Sequence, residues 1–249
     1  MMDFPLAVFA ISFLVLWLSE HAGASLRKRM RNLEQVGRED LGVILSATLT
    51  LLGLIIGFSF SMAVNRYDQR KNLEEAEANA IGTEYFRAGL LPASDAEKVR
   101  QLLTKYLNER YLFYTTRSGR KIEDVNASTT REQVDLWAAI QSPALAQPTP
   151  LMAQVVIGMN DVLNAQGYTQ AAWRNRLPVA AWVLMGAIAA CCNILLGYTL
   201  VGSSGGIRRF VVLPVLVSLS FALIADLDSP RGGIIRVSPQ NLIALSHSL

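Results

Sequence analysis

The sequence is poor in the residues that make a protein reactive or cross-linked. It has two cysteines and two histidines. Cys191 and Cys192 are adjacent inside a hydrophobic run, so they cannot build a disulfide framework. No nearby charge stabilises a thiolate, and the pair reads as small polarizable packing residues. His21 and His247 stand alone and neither starts a metal-binding spacing. There is no nucleophile elbow, phosphate-binding glycine loop, HExxH helix or paired metal-ligand cluster, so no enzyme is expected. Alternating strand patterns of useful length are also missing. A basic surface is lacking too, although the sequence pI is near 9.0. Residues 66 to 176 hold 14 of the 23 Lys and Arg and 13 of the 20 Asp and Glu, a near balance that excludes nucleic acid as a partner.

What the chain does have is long stretches without formal charge: Phe4 to Ser19, Leu41 to Asn65, Leu177 to Ile207 and Phe210 to Ala225. A bilayer core about 30 Å thick needs roughly 20 apolar helical residues at about 1.5 Å per residue. Leu41 to Asn65 meets that. The third stretch exceeds it, and its Gly/Ser end, Gly202 to Gly206, is a turn that places the end of the span near Val201. The fourth, bounded by Arg209 and Asp226, is short for a free-standing span. It is expected to pack inside a bundle, where neighbours satisfy the backbone groups that Pro214 frees. In the first stretch Ala22-Gly23-Ala24 resembles a signal-peptide cleavage site, but the residues before Phe4 contribute only Asp3. A retained first helix over Phe4 to Leu18, extending past Glu20, is therefore expected.

The polar midsection reads as helices. Val99, Leu102, Leu103, Tyr106 and Leu107 have the spacing of an amphipathic helix entered at Ser94 or Asp95. Thr129 and Glu132 have capping-box spacing for a helix running to about Gln141, and Ser142 to Pro150 reads as a loop. Thr149 then caps a third helix with Pro150 at its first position, marked by Met152, Val155, Val156, Met159, Val162 and Leu163. The second membrane helix, free of proline, is expected to continue unbroken to about Arg87. The predicted fold is all-α, with four transmembrane helices and a helical aqueous domain between the second and third. The segments are residues 1–65 (two membrane helices around a basic loop, 19–40), 66–176 (aqueous domain), 177–225 (two further membrane helices) and 226–249 (a C-terminal segment). Arg27, Lys28, Arg29, Arg31 and Arg38, with Arg208 and Arg209, bias their loops to the cytoplasm and the large domain outside.

Three groups of residues are candidates for function. Ser46, Thr50, Gly53, Gly57 and Ser61 repeat every three or four residues, forming one small, weakly polar helix face. Such a face either packs closely against another helix, since Gly53 to Gly57 is a GxxxG, or lines a pore with Phe58 or Phe60 as a dewetting constriction. At the membrane exit, Asn65, Arg66, Arg70, Glu74 and Glu77 form either a pore mouth that attracts anions or an ordinary set of snorkelling and surface ion pairs. Asp226 and Asp228 are either a fragment of a calcium site or structural caps and partners of Arg231 or Arg236.

The run LLGLIIGFSFSMAVNRYDQRKNLEEAEANAIGTEYF from Leu51 to Phe86, with DLDSPRGGIIRVS from Asp226 to Ser238, resembles the bestrophin-like domain family of bacterial membrane proteins, over nearly the whole chain. That resemblance implies kinship to bestrophins: pentameric, calcium-gated anion channels with four membrane helices per subunit and a helical domain between the second and third. It implies a homo-oligomer, inorganic ions and the lipid bilayer as partners, calcium as the one candidate cofactor, and a multi-pass protein of the plasma membrane, here the bacterial inner membrane. Bestrophins keep the large domain in the cytosol, against the charge bias above, so the side is left open. Two functions stand: an oligomeric, most simply anion-conducting channel, or a non-conducting scaffold or sensor whose helical domain binds a partner protein.

Overall fold

The computed structural model describes residues 4–29, 38–117, 119–200 and 209–249. The described residues contain helices and no strand: α1 (Pro5–Arg29), α2 (Arg38–Arg87), a 3-10 turn (Ala88–Leu90), α3 (Ala93–Thr115), α4 (Gly119–Ala146), α5 (Pro150–Arg174), α6 (Val179–Leu200), α7 (Arg209–Asp228) and α8 (Gln240–Ser248). Four helical stretches are long and apolar enough to cross a membrane: Pro5–Arg29, Asp40–Leu90, Pro150–Thr199 and Val211–Asp228. The protein is an all-α, multi-pass membrane protein. The turn expected at Gly202 to Gly206 falls outside the described residues, as do Arg31 and Arg208.

The chain divides into two compact units, Met1–Arg66 with Arg176–Arg236, and Tyr67–Asn175 with Val237–Leu249. In the first, α1 packs against α6 and α7. Lipid tails give no hydrophobic drive for this, so close backbone approach has to supply the packing energy. Gly23 and Gly197 permit it: a Cβ on Gly197 would collide with the carbonyl oxygen of Glu20, and one on Gly23 with that of Ile194. Beyond the contact, the Arg27 guanidinium donates to the carbonyls of Tyr198 (3.1 Å) and Thr199 (3.0 Å), answering acceptors that the end of α6 leaves open. α7 buries Pro214, Val217, Ser218, Phe221 and Ile224.

The second unit is a soluble-type helical bundle with an apolar core that includes Ile81, Val99, Leu103, Tyr106, Leu136 and Met159. The α3 stripe read from the sequence faces this core, with Leu102 partly buried. Thr149 caps α5 as its spacing predicts, its hydroxyl accepting from Met152 N at 3.2 Å with Pro150 in the first turn. The expected start of a helix at Thr129 is corrected. Thr129 lies inside α4, its hydroxyl donates back to Val125 O (2.8 Å), and Glu132 pairs with Lys105 (3.2 Å). The buried positions Val125, Thr129, Glu132, Leu136, Ala139, Ile140 and Pro143 keep helical spacing across both supposed ends. Pro143, in the last turn, forgoes an N–H bond to the carbonyl four residues back, while its own carbonyl still accepts from Gln147 N at 3.0 Å. The expected loop from Ser142 shrinks accordingly to the few residues before Pro150.

If α1 and α6 are held by backbone contact, Gly197→Ala should lower the melting temperature of the purified protein. Gly186→Ala, where an added Cβ meets nothing within 4 Å, should leave it unchanged or raise it by helix propensity. Differential scanning fluorimetry in detergent makes the comparison.

Candidate functional site

The small-residue face of α2 is open among the described residues. Ser46, Thr50, Gly53, Gly57 and Ser61 are exposed, Phe58 is 62% exposed and Phe60 39%. Among the described residues a Cβ added to Gly53 or Gly57 would meet no atom within 4 Å, so no described helix packs on this GxxxG. The buried positions of this stretch, Leu52, Ser59 and Ala63, recur at seven and four residues and occupy the opposite side of the helix. Phe58 and Phe60 flank the stripe on its two sides by the same periodicity. The Ser46 and Thr50 hydroxyls donate to Gly42 O and Ser46 O (2.9 Å each). Their donors are satisfied internally and their lone pairs face outward.

At the end of the membrane stretch, Asn65 is exposed and Arg66 retains 15% side-chain exposure, 3.7 Å from Asp228. Asp228 is itself buried and accepts from Leu177 N (3.0 and 3.2 Å), tying the end of α7 to the residue that leads into α6. Asp226 accepts from Ile234 N (2.6 Å) and Ile235 N (2.9 Å), while Ser229 Oγ accepts from Gly232 N (3.0 Å). The DLDSPRGGII segment is thus a loop folded back onto its own first carboxylate. Gly233 is obligatory there, since a Cβ would strike the Asp226 carboxylate.

The remaining candidates lie in the second unit and are buried. Arg70 (1% exposed) donates to Ala172 O (3.4 Å) and Asn175 O (3.5 Å), placing a cation on carbonyls at the end of α5. Glu74 accepts from Asn241 N and Leu242 N (3.0 Å each) and from Asn241 Nδ2 (2.7 Å), so it caps α8 from another helix. Glu77 forms an ion pair with Arg110 and accepts from Tyr114 Oη (3.1 Å) and Thr169 Oγ1 (3.2 Å). Arg110 also lies 4.4 Å from the centre of the Phe113 ring. Burial, and then the negative charge of Glu77, push the Tyr114 hydroxyl well above its usual range, keeping it a donor. Surface ion pairs along the helix were one of the two alternatives for these residues; the structure buries Glu74 and Glu77 and supplies them with partners from α3, α5 and α8.

Glu84 continues this series along α2, and the sequence assigns it no role. It is fully buried, neither carboxylate oxygen has a hydrogen-bond partner, and Gly158 makes room for it, since a Cβ there would collide with the carboxylate. Burial raises its pKa to about 8, against the opposing pull of Arg87 and with a smaller push from Asp161.

A calcium ion needs six to eight oxygen ligands. Around Asp226 and Asp228 the neighbouring groups are N–H donors, and among the described residues no three His, Cys, Asp or Glu side chains converge. Among the described residues of one chain, the pair lacks the oxygens that calcium requires.

A family model described as the Bestrophin-like domain matches residues 6–242. A crystal structure of a variant of a bacterial bestrophin homolog from Klebsiella pneumoniae is 14% identical and superposes with a TM-score of 0.67, over 97% of this chain and 98% of that one. A second variant is 17% identical, with a TM-score of 0.66 over 96% and 95%. At these identities the likeness is one of fold. No curated protein matches the chain.

Replacing Arg110 with Met strands the Glu77 carboxylate in the core and should destabilise the helical unit by about 3–5 kcal/mol in urea titration. The Glu84 proton gives a second expectation. Because its pKa rises from 4.5 to about 8 on folding, the folded state binds more protons than the unfolded chain across that interval. Stability should therefore fall as pH rises from about 5 to 8, and Glu84→Gln should flatten that slope in melts across pH.

Proposed function

The chain belongs to the Bestrophin-like domain family, and from that premise we propose that it assembles into an oligomeric ion channel of the bestrophin kind, conducting anions. The observation that carries the reading is the open face of α2. A stripe of small and hydroxyl-bearing residues opposite the helix's buried side has no partner among the described residues of the chain. Several copies around an axis would bring these stripes together as the wall of a narrow path. Ser46, Thr50 and Ser61 offer it weak polarity, while Phe58 and Phe60 supply apolar rings that gate by dewetting. Four membrane helices of one subunit leave little room for a conduit, so the proposal requires a ring, with five subunits by the family likeness.

Arg66 is the mouth residue best placed to act on ions, since it keeps some exposure, whereas Arg70, Glu74 and Glu77 are enclosed within the helical unit and hold its architecture. Its charge is partly answered by Asp228, which weakens the field it offers to an anion. The protein is read as resident in the bacterial inner membrane, and calcium control as a separate property that would need ligands from a neighbouring subunit. Calorimetric titration of calcium into the assembled protein, with Asp226→Asn and Asp228→Asn beside it, tests that property.

In planar bilayers, Phe58→Ala should raise unitary conductance, Arg66→Gln should lower anion conductance, and Asp228→Asn, which releases Arg66, should strengthen anion preference. Unchanged currents in all three would remove these residues from the path. A monomeric or dimeric mass in detergent would favour the non-conducting scaffold instead.

A further inference from the structure

Inside the membrane unit three side chains from three helices are wholly shielded from solvent yet incompletely bonded. They are Glu20 of α1, Asn193 of α6 and Ser218 of α7, each 0% exposed. Both carboxylate oxygens of Glu20, the amide oxygen of Asn193 and the hydroxyl of Ser218 have no hydrogen-bond partner. Asn193 has already committed its amide N–H to Ala189 O at 2.7 Å, so acceptor oxygen is what it has left.

The packing places the three at neighbouring levels of one bundle. Gly23 and Gly197 mark where α1 and α6 touch through their backbones. Further along, a cavity of about 240 Å³ brings Leu16, Gly186 and Phe221 together from α1, α6 and α7. Glu20 lies between these two levels on α1 and Asn193 between them on α6, while Ser218 lies one turn from Phe221. Helical side chains lean toward their own N-terminus, so Glu20 and Asn193, on helices that run the same way past each other, both reach back toward the cavity level.

Ionisable residues within a bilayer face the bundle interior and need a counter-group. The open valences of these three side chains are oxygens, with one negative charge among them; Trp182 Nε1 on the cavity wall is an open donor of the same unit, and the ionisable neighbour acting on Glu20 is His21, exposed and bonded to Trp17 O (2.9 Å). We propose that Glu20, Asn193 and Ser218 form a binding site for a monovalent alkali cation, sodium by size and hardness, held between α1, α6 and α7. A single carboxylate with neutral oxygens matches one positive charge and falls short of what a divalent ion requires. The site stands apart from the α2 face and does not depend on whether that face conducts.

The full-length protein in detergent tests this through its melting temperature in sodium chloride against N-methylglucamine chloride at constant ionic strength. Sodium should raise the melting temperature by about 3–6 °C per tenfold increase above saturation, and Glu20→Gln should abolish the response. Should Glu20→Gln fail to fold, Ser218→Ala, which removes one oxygen and no charge, should shift the sodium midpoint upward by about tenfold. A melting temperature indifferent to sodium, or an equal response in the variants, overturns the proposal and leaves water as the occupant.

Discussion

A charge removed from water must be met by a partner, and the region of α2 that leaves the membrane is organised around that requirement. Arg66, Arg70, Glu74 and Glu77 recur every three or four residues along one face, where a soluble helix would show leucines and valines. Within the membrane unit Arg66 meets Asp228. Within the helical unit Arg70 meets carbonyls at the end of α5, Glu74 meets the amides that begin α8, and Glu77 meets Arg110, Tyr114 and Thr169. Each pairing fixes one further segment against the same helix. The geometry is directional in a way that apolar packing is not, because removing either partner strands the other without solvent.

Glu84, farther along α2, shows the alternative resolution. It has no hydrogen-bond partner, and its carboxylate is held close to neutrality at physiological pH by burial. The core around Gly158 accepts the group as a neutral acid more readily than as an anion.

The membrane stretch of α2 inverts this economy, presenting small residues to open space. Small residues serve two different ends in the same bundle. Gly23 and Gly197 bring α1 and α6 into backbone contact, whereas Gly53 and Gly57 have no neighbour among the described residues into which a Cβ would run. Spacing cannot separate the two cases, because a GxxxG describes the shape of one surface and leaves its occupant unspecified. The same limit applies to Asp226 and Asp228. Their types and spacing marked them out, but Asp226 is met by the amides of Ile234 and Ile235, and Asp228, besides Arg66, by the amide of Leu177; every non-proline residue carries such an amide and no sequence pattern advertises it.

The membrane helices, the unbroken α2 and the α5 cap were set by local order in the chain: apolar run length, freedom from proline, and a Thr-Pro pair. Those properties depend on hydration and backbone geometry over a few residues, so the sequence determined them by itself. Where α4 begins and ends was decided by burial along its whole length, which overrode a capping-box spacing at Thr129. α8 depends on Glu74, 167 residues away in the chain, and the partners of Arg70 and Glu77 are also distant. Only the tertiary structure could decide these, because desolvation and hydrogen-bond pairing depend on which groups meet in space, and sequence separation carries no record of that.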